Sequence, residues 1–114
     1  MYMEHKGNLR NEIDVVGPAR IGRVEIVNQG KILRYRGRTF VALSGDKWNY
    51  IDEANQDVFW IAGCNKDGKD ALYSTDVRVD DNTADEYWKK VRKMPENVKT
   101  KSFKTRGKYG TYEG

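Results

Sequence analysis

With 114 residues, 33% charged and only 38% apolar, the chain suits one domain with a single modest core. Its longest apolar stretch, Val58 to Gly63, is too short to span a bilayer, no run resembles a signal peptide, and the lone Cys64 excludes an internal disulfide; a cytoplasmic setting, with no membrane and no disulfide-linked partner, is expected. The net charge of +4 hides segregation: residues 20–38 carry six Lys/Arg against one Glu, 46–86 four against eleven Asp/Glu, and 89–108 nine against one. Such a field can steer an encounter or be satisfied internally.

Residues 1–16 keep no sustained period and are expected to form a flexible arm holding His5, with Ile13 to Val16 able to add an edge strand. Gly17-Pro18 then opens what reads as one long β-hairpin to Phe40. Asn28-Gln29-Gly30-Lys31 supplies turn chemistry, so Val27 faces Ile32, Ile26 faces Leu33, Glu25 faces Arg34 and Val24 faces Tyr35. Alternation puts Gly22, Val24, Ile26, Leu33, Tyr35 and Gly37 on one face and Arg23, Glu25, Arg34, Arg36 and Arg38 on the other. Gly22 opposite Gly37 suggests a bend that lets a sheet curl.

Thr39 to Leu43 continues the second strand, Ser44 to Lys47 turns, and Trp48 to Asp52 alternates. Val58 to Ala62 is a nearly continuous apolar run, as in a central strand buried on both faces. A tight turn at Asp67-Gly68 precedes a last strand, Ala71 to Asp80, with Tyr73, Thr75, Val77 and Val79 opposite Asp76, Arg78 and Asp80. The period then changes: Thr83-Ala84-Asp85-Glu86 is a capping-box pattern, and Ala84, Tyr87, Trp88 and Val91 recur at helical spacing before Pro95. From residue 94 the basic, Gly/Thr-rich tail is expected to be disordered, although Val98 to Phe103 could add a strand.

The expected fold is therefore mainly β: a curled antiparallel sheet or small SH3-like barrel of about five strands with a C-terminal α-helix, spanning residues 17–93. Its expected core contains Val24, Ile26, Leu33, Tyr35, Phe59, Ile61, Val77, Tyr87, Trp88 and Val91. The words ARIGRV (19–24), YRGR (35–38), NY.D (49–52), FWI.G (59–63), KDGKD.LY (66–73) and DEYW (85–88) resemble those of a group of small bacterial proteins. That resemblance implies a shared fold unit and no activity. Some similar sequences carry a deoxyxylulose-phosphate synthase label. Such an enzyme needs a Gly-Asp-Gly thiamine diphosphate motif, which Gly45-Asp46-Lys47 does not complete, and two domains that 114 residues cannot hold.

Chemistry-bearing residues are sparse. One His and one Cys do not make a zinc site, and Asp67-Gly68-Lys69-Asp70 lacks the alternating oxygens and terminal Glu of a calcium loop. Cys64 has no nearby imidazole in sequence, and no glycine loop opens a helix to cradle phosphate. No catalytic, cofactor or metal site is expected. The chain reads as a non-enzymatic binding module of the inhibitor, immunity or adaptor kind, engaging a protein partner of complementary potential. One alternative is nucleic acid, held by the Arg strand face and the tail; the minority one is a small enzyme of unknown class, since eleven carboxylates lie between residues 46 and 86. The contact residues for either partner are Arg20, Arg23, Arg34, Arg36 and Arg38, with Lys101, Phe103, Lys104, Arg106, Lys108 and Tyr109 from the tail.

Overall fold

A computed structural model describes residues 1–8, 17–45, 48–71, 73–105 and 107–109. Among them nine strands build one sheet: β1 (Tyr2–Asn8), β2 (Ala19–Ile21), β3 (Glu25–Val27), β4 (Ile32–Tyr35), β5 (Arg38–Ala42), β6 (Tyr50–Asp52), β7 (Asp57–Ala62), β8 (Thr75–Val79) and β9 (Ser102–Thr105). Their spatial order is β3-β4-β5-β6-β7-β1-β2-β8-β9. All neighbours are antiparallel except β2 and β8, which run parallel with Arg20 opposite Arg78. The sheet curls until β4 comes back toward β2 and the end of β8, where the Tyr35 hydroxyl donates to the Asp80 carboxylate. The result is a half-barrel.

The register follows from turn chemistry. Asn28, Gln29 and Gly30 take positive φ (51°, 58° and 88°), and the loop sets Val27, Ile26 and Glu25 opposite Ile32, Leu33 and Arg34 as the sequence suggests. A second turn was not anticipated. Arg36 and Gly37 both have positive φ (49° and 78°), Tyr35 pairs with Arg38, and the chain reverses there instead of running straight on. Two consecutive left-handed residues are a type I′ hairpin turn, whose twist matches the flanking strands. This turn separates the expected Arg face: Arg34 lies outward beside Glu25, Arg36 occupies the turn, and Arg38 shares the inner face of Tyr35.

Because side chains alternate, the sheet has two cores. On the inner, concave face Met3, Leu33, Tyr35, Phe40, Phe59 and Ile61 pack together, with Phe40 and Phe59 edge to face at 4.9 Å. On the outer face Tyr2, Ala19, Ile21, Val77 and Val79 meet Tyr87 and Trp88. Those two aromatics come from residues 84–91, and Phe103 of β9 packs on Trp88 at 5.3 Å.

Several expectations change. Residues 2–8 are the central strand between β7 and β2, with Tyr2, Met3, Glu4 and Lys6 buried, where an arm was expected. Alternation was masked there because both faces are covered and Glu4 is internally neutralised: it accepts from the Tyr2 hydroxyl at 2.6 Å, the Lys6 ammonium and the Gly17 amide at 3.3 Å. Residues 102–105, placed in a disordered tail, pair with β8. Strands outnumber the expected five. The expected α-helix is a short segment, helical at 84–85 and wound as a wide π-turn over Glu86–Val91, with the Arg92 amide reaching the Tyr87 carbonyl at 2.9 Å. Its capping box does not form: the Thr83 hydroxyl donates to Asn82 at 2.9 Å, and Glu86 instead pairs with Arg23. Ile26, expected in the core, is 59% exposed on edge strand β3. Ile13 to Val16 lie outside the described residues.

Candidate functional site

The curl of the sheet leaves a mouth between the β4–β5 hairpin on one side and β2 and β8 on the other. It encloses about 410 Å³. Met3, Phe40 and Phe59 form its floor, Pro18 and Ala19 one wall, and Arg20, Arg38, Arg78 and Asp76 its rim. Each rim residue is placed by alternation: Arg20 and Arg78 sit side by side in the β2–β8 ladder, opposite in facing to the buried Ala19, Ile21, Val77 and Val79. Of the three arginines only Arg78 has no ion pair among the described residues; Arg20 is paired with Asp80 and Arg38 with Asp52.

One end of the mouth is closed by a polar latch on Asp80, which is 4% exposed. Arg20 donates an Nη1 hydrogen bond to its Oδ1 at 2.8 Å, the Arg36 Nη2 lies 3.2 Å from the same oxygen, and the Tyr35 hydroxyl takes Oδ2. Burial, reinforced by the bond to Asp80, pushes the Tyr35 phenol up to about 12, and the same carboxylate raises the Arg20 guanidinium. Gly22 is needed beside this latch, since an added Cβ would come within 2.5 Å of the Asp80 Oδ2 and 2.7 Å of the Tyr35 ring.

Arg38 is held from three sides. Its guanidinium carbon lies 5.5 Å from the Phe59 ring centre and 5.9 Å from that of Phe40. Its Nε lies 3.0 Å from the Oδ2 of Asp52, a side chain only 1% exposed. That Oδ2 has no hydrogen-bond partner among the described residues, while Oδ1 accepts the Ala54 amide at 3.0 Å.

The other expected contact residues are dispersed. A second groove of about 560 Å³ on the hairpin's outer side is lined by Arg23, Arg34, Arg36 and Arg38 with Glu25 and Thr39. Arg23 pairs with Glu86 at 2.9 Å, which holds the Glu86 carboxyl below its usual range, whereas Arg34 makes no ion pair among the described residues. Lys101 lies 3.9 Å from Asp81, and Lys104 stands opposite Asp76 in the β8–β9 ladder. Phe103 packs against Tyr87 and Trp88, so it is engaged in the outer core and not free to stack on a base. Lys108 is exposed, Tyr109 is 70% exposed and 5.9 Å from the Tyr73 ring, and Arg106 lies outside the described residues. Arg78, Asp52 and Asp80 were not among the expected site residues. Arg78 could have been found from its alternation against buried Val77 and Val79; the two aspartates could not, since their partners are 14 or more residues away.

His5 lies in β1 with Nε2 3.1 Å from Asp57, edge-on to Phe59 at 5.1 Å. Cys64 packs against the outer core, where burial pushes its thiol up to about 11. Among the described residues no three His, Cys, Asp or Glu side chains are grouped to hold a metal ion, and no helix is long and apolar enough to cross a membrane. Compared with protein-family models, curated proteins and solved structures, the chain shows no match.

Proposed function

We propose that the protein is a non-enzymatic binding module that receives a protein partner, of the inhibitor, immunity or adaptor type, in the mouth of the half-barrel. The supporting observation is an arginine-lined rim over an apolar floor, with Arg20 and Arg38 already oriented by the buried carboxylates of Asp80 and Asp52. Side chains fixed before the partner arrives lose little entropy on binding. A concave site of this size lies within the range of ligand pockets and takes part of a partner's surface, a few side chains deep. A cytoplasmic setting and kinship with the small bacterial proteins sharing the quoted sequence words belong to the same reading.

The test is capture from extract of the native host, comparing the unaltered chain with Arg78→Glu in the mouth and Arg34→Glu in the outer groove. The reading requires a protein recovered in stoichiometric amount, lost with Arg78→Glu and retained with Arg34→Glu. Absence of a stoichiometric partner, or equal loss with both variants, refutes it.

A second reading, nucleic-acid binding, is favoured by a different surface: the outer groove with Arg34 free of ion pairs, together with exposed Lys104, Lys108 and Tyr109. Against it, Glu25 lies in the lining of that groove and its Arg23 is paired with Glu86. Micromolar binding of single-stranded oligonucleotides that weakens steeply with salt and is lost in Arg34→Glu would move the function there.

A further inference from the structure

We infer that Arg38 is the residue that reads the partner, that it takes a carboxylate from an acidic, apolar-flanked peptide segment, and that Asp52 is its positioning residue. This rests on the mouth being the protein-binding surface.

A guanidinium has two flat faces and an edge of five N–H donors. In Arg38 the aromatic floor lies beneath the group, as the 5.5 and 5.9 Å distances to Phe59 and Phe40 show. The Nε lies 3.0 Å from the Asp52 Oδ2, an ion-pair contact without hydrogen-bond geometry. What is left is the far end: the two Nη groups have no hydrogen-bond partner among the described residues, and the side chain is 44% exposed. Two parallel N–H donors at a fixed spacing match the two oxygens of a carboxylate.

Asp52 is hard to explain otherwise. Turn formation after β6 uses only Oδ1, which accepts the Ala54 amide. Burying the second oxygen with no hydrogen-bond donor costs free energy, and its one cationic neighbour is Arg38. That cost goes into fixing the guanidinium. Loose surface arginines do not need such support.

The rest of the mouth selects the ligand's company. Arg78 has no ion pair among the described residues, so a second guanidinium is available to the same anionic segment. Asp76 on the same rim disfavours a dianionic phosphate more than a singly charged carboxylate. Met3, Phe40 and Phe59 offer apolar contact to a side chain beside the acidic one.

The experiment measures fluorescence anisotropy with a labelled peptide of alternating Glu and Leu, against Gln-Leu and phosphoserine-Leu peptides and a single-stranded oligonucleotide of equal length. The expected result is salt-sensitive binding of the Glu-Leu peptide, at least tenfold tighter than either other peptide. Arg38→Gln and Asp52→Asn should each weaken it tenfold or more, Arg38→Lys should fail to restore it because the fork is lost, and Arg34→Gln should leave it unchanged. Equal binding of Gln-Leu peptide, or unaltered affinity in Arg38→Gln, overturns the inference, as does absence of binding at low salt. Arg38→Lys keeps a cation beside the buried Asp52, so it keeps the test decisive if Arg38→Gln or Asp52→Asn unfolds: unaltered affinity in Arg38→Lys also overturns the inference. If host-partner capture still depends on Arg78 while no peptide binds, the inference fails and the proposed function stands; if capture fails too, both fall.

Discussion

Tyr35→Phe removes one hydroxyl and tests whether the latch at Asp80 holds the half-barrel curled. The lost bond is to an ionised carboxylate that is 4% exposed, and hydrogen bonds to charged groups contribute about 1.5–3 kcal/mol net. The ring stays in the inner core with Leu33 and Phe40. For 114 residues the entropy of unfolding is about 0.24 kcal/mol per kelvin, so the melting temperature should fall by about 6–12 °C near neutral pH. The pH dependence gives a second signature. The folded phenol is raised to about 12 by burial and by Asp80, above its unfolded value of 10.0, so its contribution is fully present below pH 10 and disappears as pH rises to 12. Melting curves of both proteins should therefore run parallel up to about pH 10 and converge toward pH 12. Tyr2 and Tyr87 are also raised by burial but titrate equally in both chains, so they cancel from the difference. A drop under about 2 °C at neutral pH, which is below 0.5 kcal/mol, or a gap that persists at pH 12, would refute the latch.

Three further outcomes are expected. Trp88→Ala should cost about 3–5 kcal/mol in denaturant unfolding, since the indole is 2% exposed between Tyr87 and Phe103; a change under 1 kcal/mol would remove residues 84–91 from the outer core. Gly22→Ala should destabilise by about 1–3 kcal/mol and perturb the Tyr35 ring signals, because its methyl would press on Asp80 and Tyr35, and an unshifted tyrosine spectrum would contradict that contact. Cys64, with its thiol raised from 9.0 to about 11, should be alkylated at pH 8 roughly 100-fold more slowly in the native protein than after unfolding; equal rates would show the thiol to be unburied.

Much of the sheet was legible because its signals are local. The β3–β4 register, the buried run of β7 and the alternation of Thr75, Val77 and Val79 against Asp76 and Arg78 all follow from turn residues and period. The I′ turn at Arg36-Gly37 was missed because Arg seldom takes positive φ, and a single Gly in a strand reads equally as a bulge. β1 was missed because Glu4, His5 and Lys6 look like a solvated arm until Tyr2, Asp57 and Gly17 supply their partners from elsewhere. The mouth depends on closure between strands distant in sheet order, with Asp80 meeting Tyr35 across 45 positions of sequence. Periodicity predicts which arginines share a strand face, but not which carboxylate each will find.

The position of β1 has a consequence for synthesis on the ribosome. Its ladder partners are residues 19–21 and 57–62, while the parallel strand that covers β2 spans residues 75–79. At about 5–20 residues per second, roughly 3–10 s pass between emergence of β1 and of β7. During that time the central strand has only the three-residue β2 to pair with, and the β3–β4–β5 meander is complete before its second partner arrives. Folding of the whole sheet must wait for its second half, and nascent chains stalled before residue 57 would present one side of β1 to chaperones as an unmatched edge.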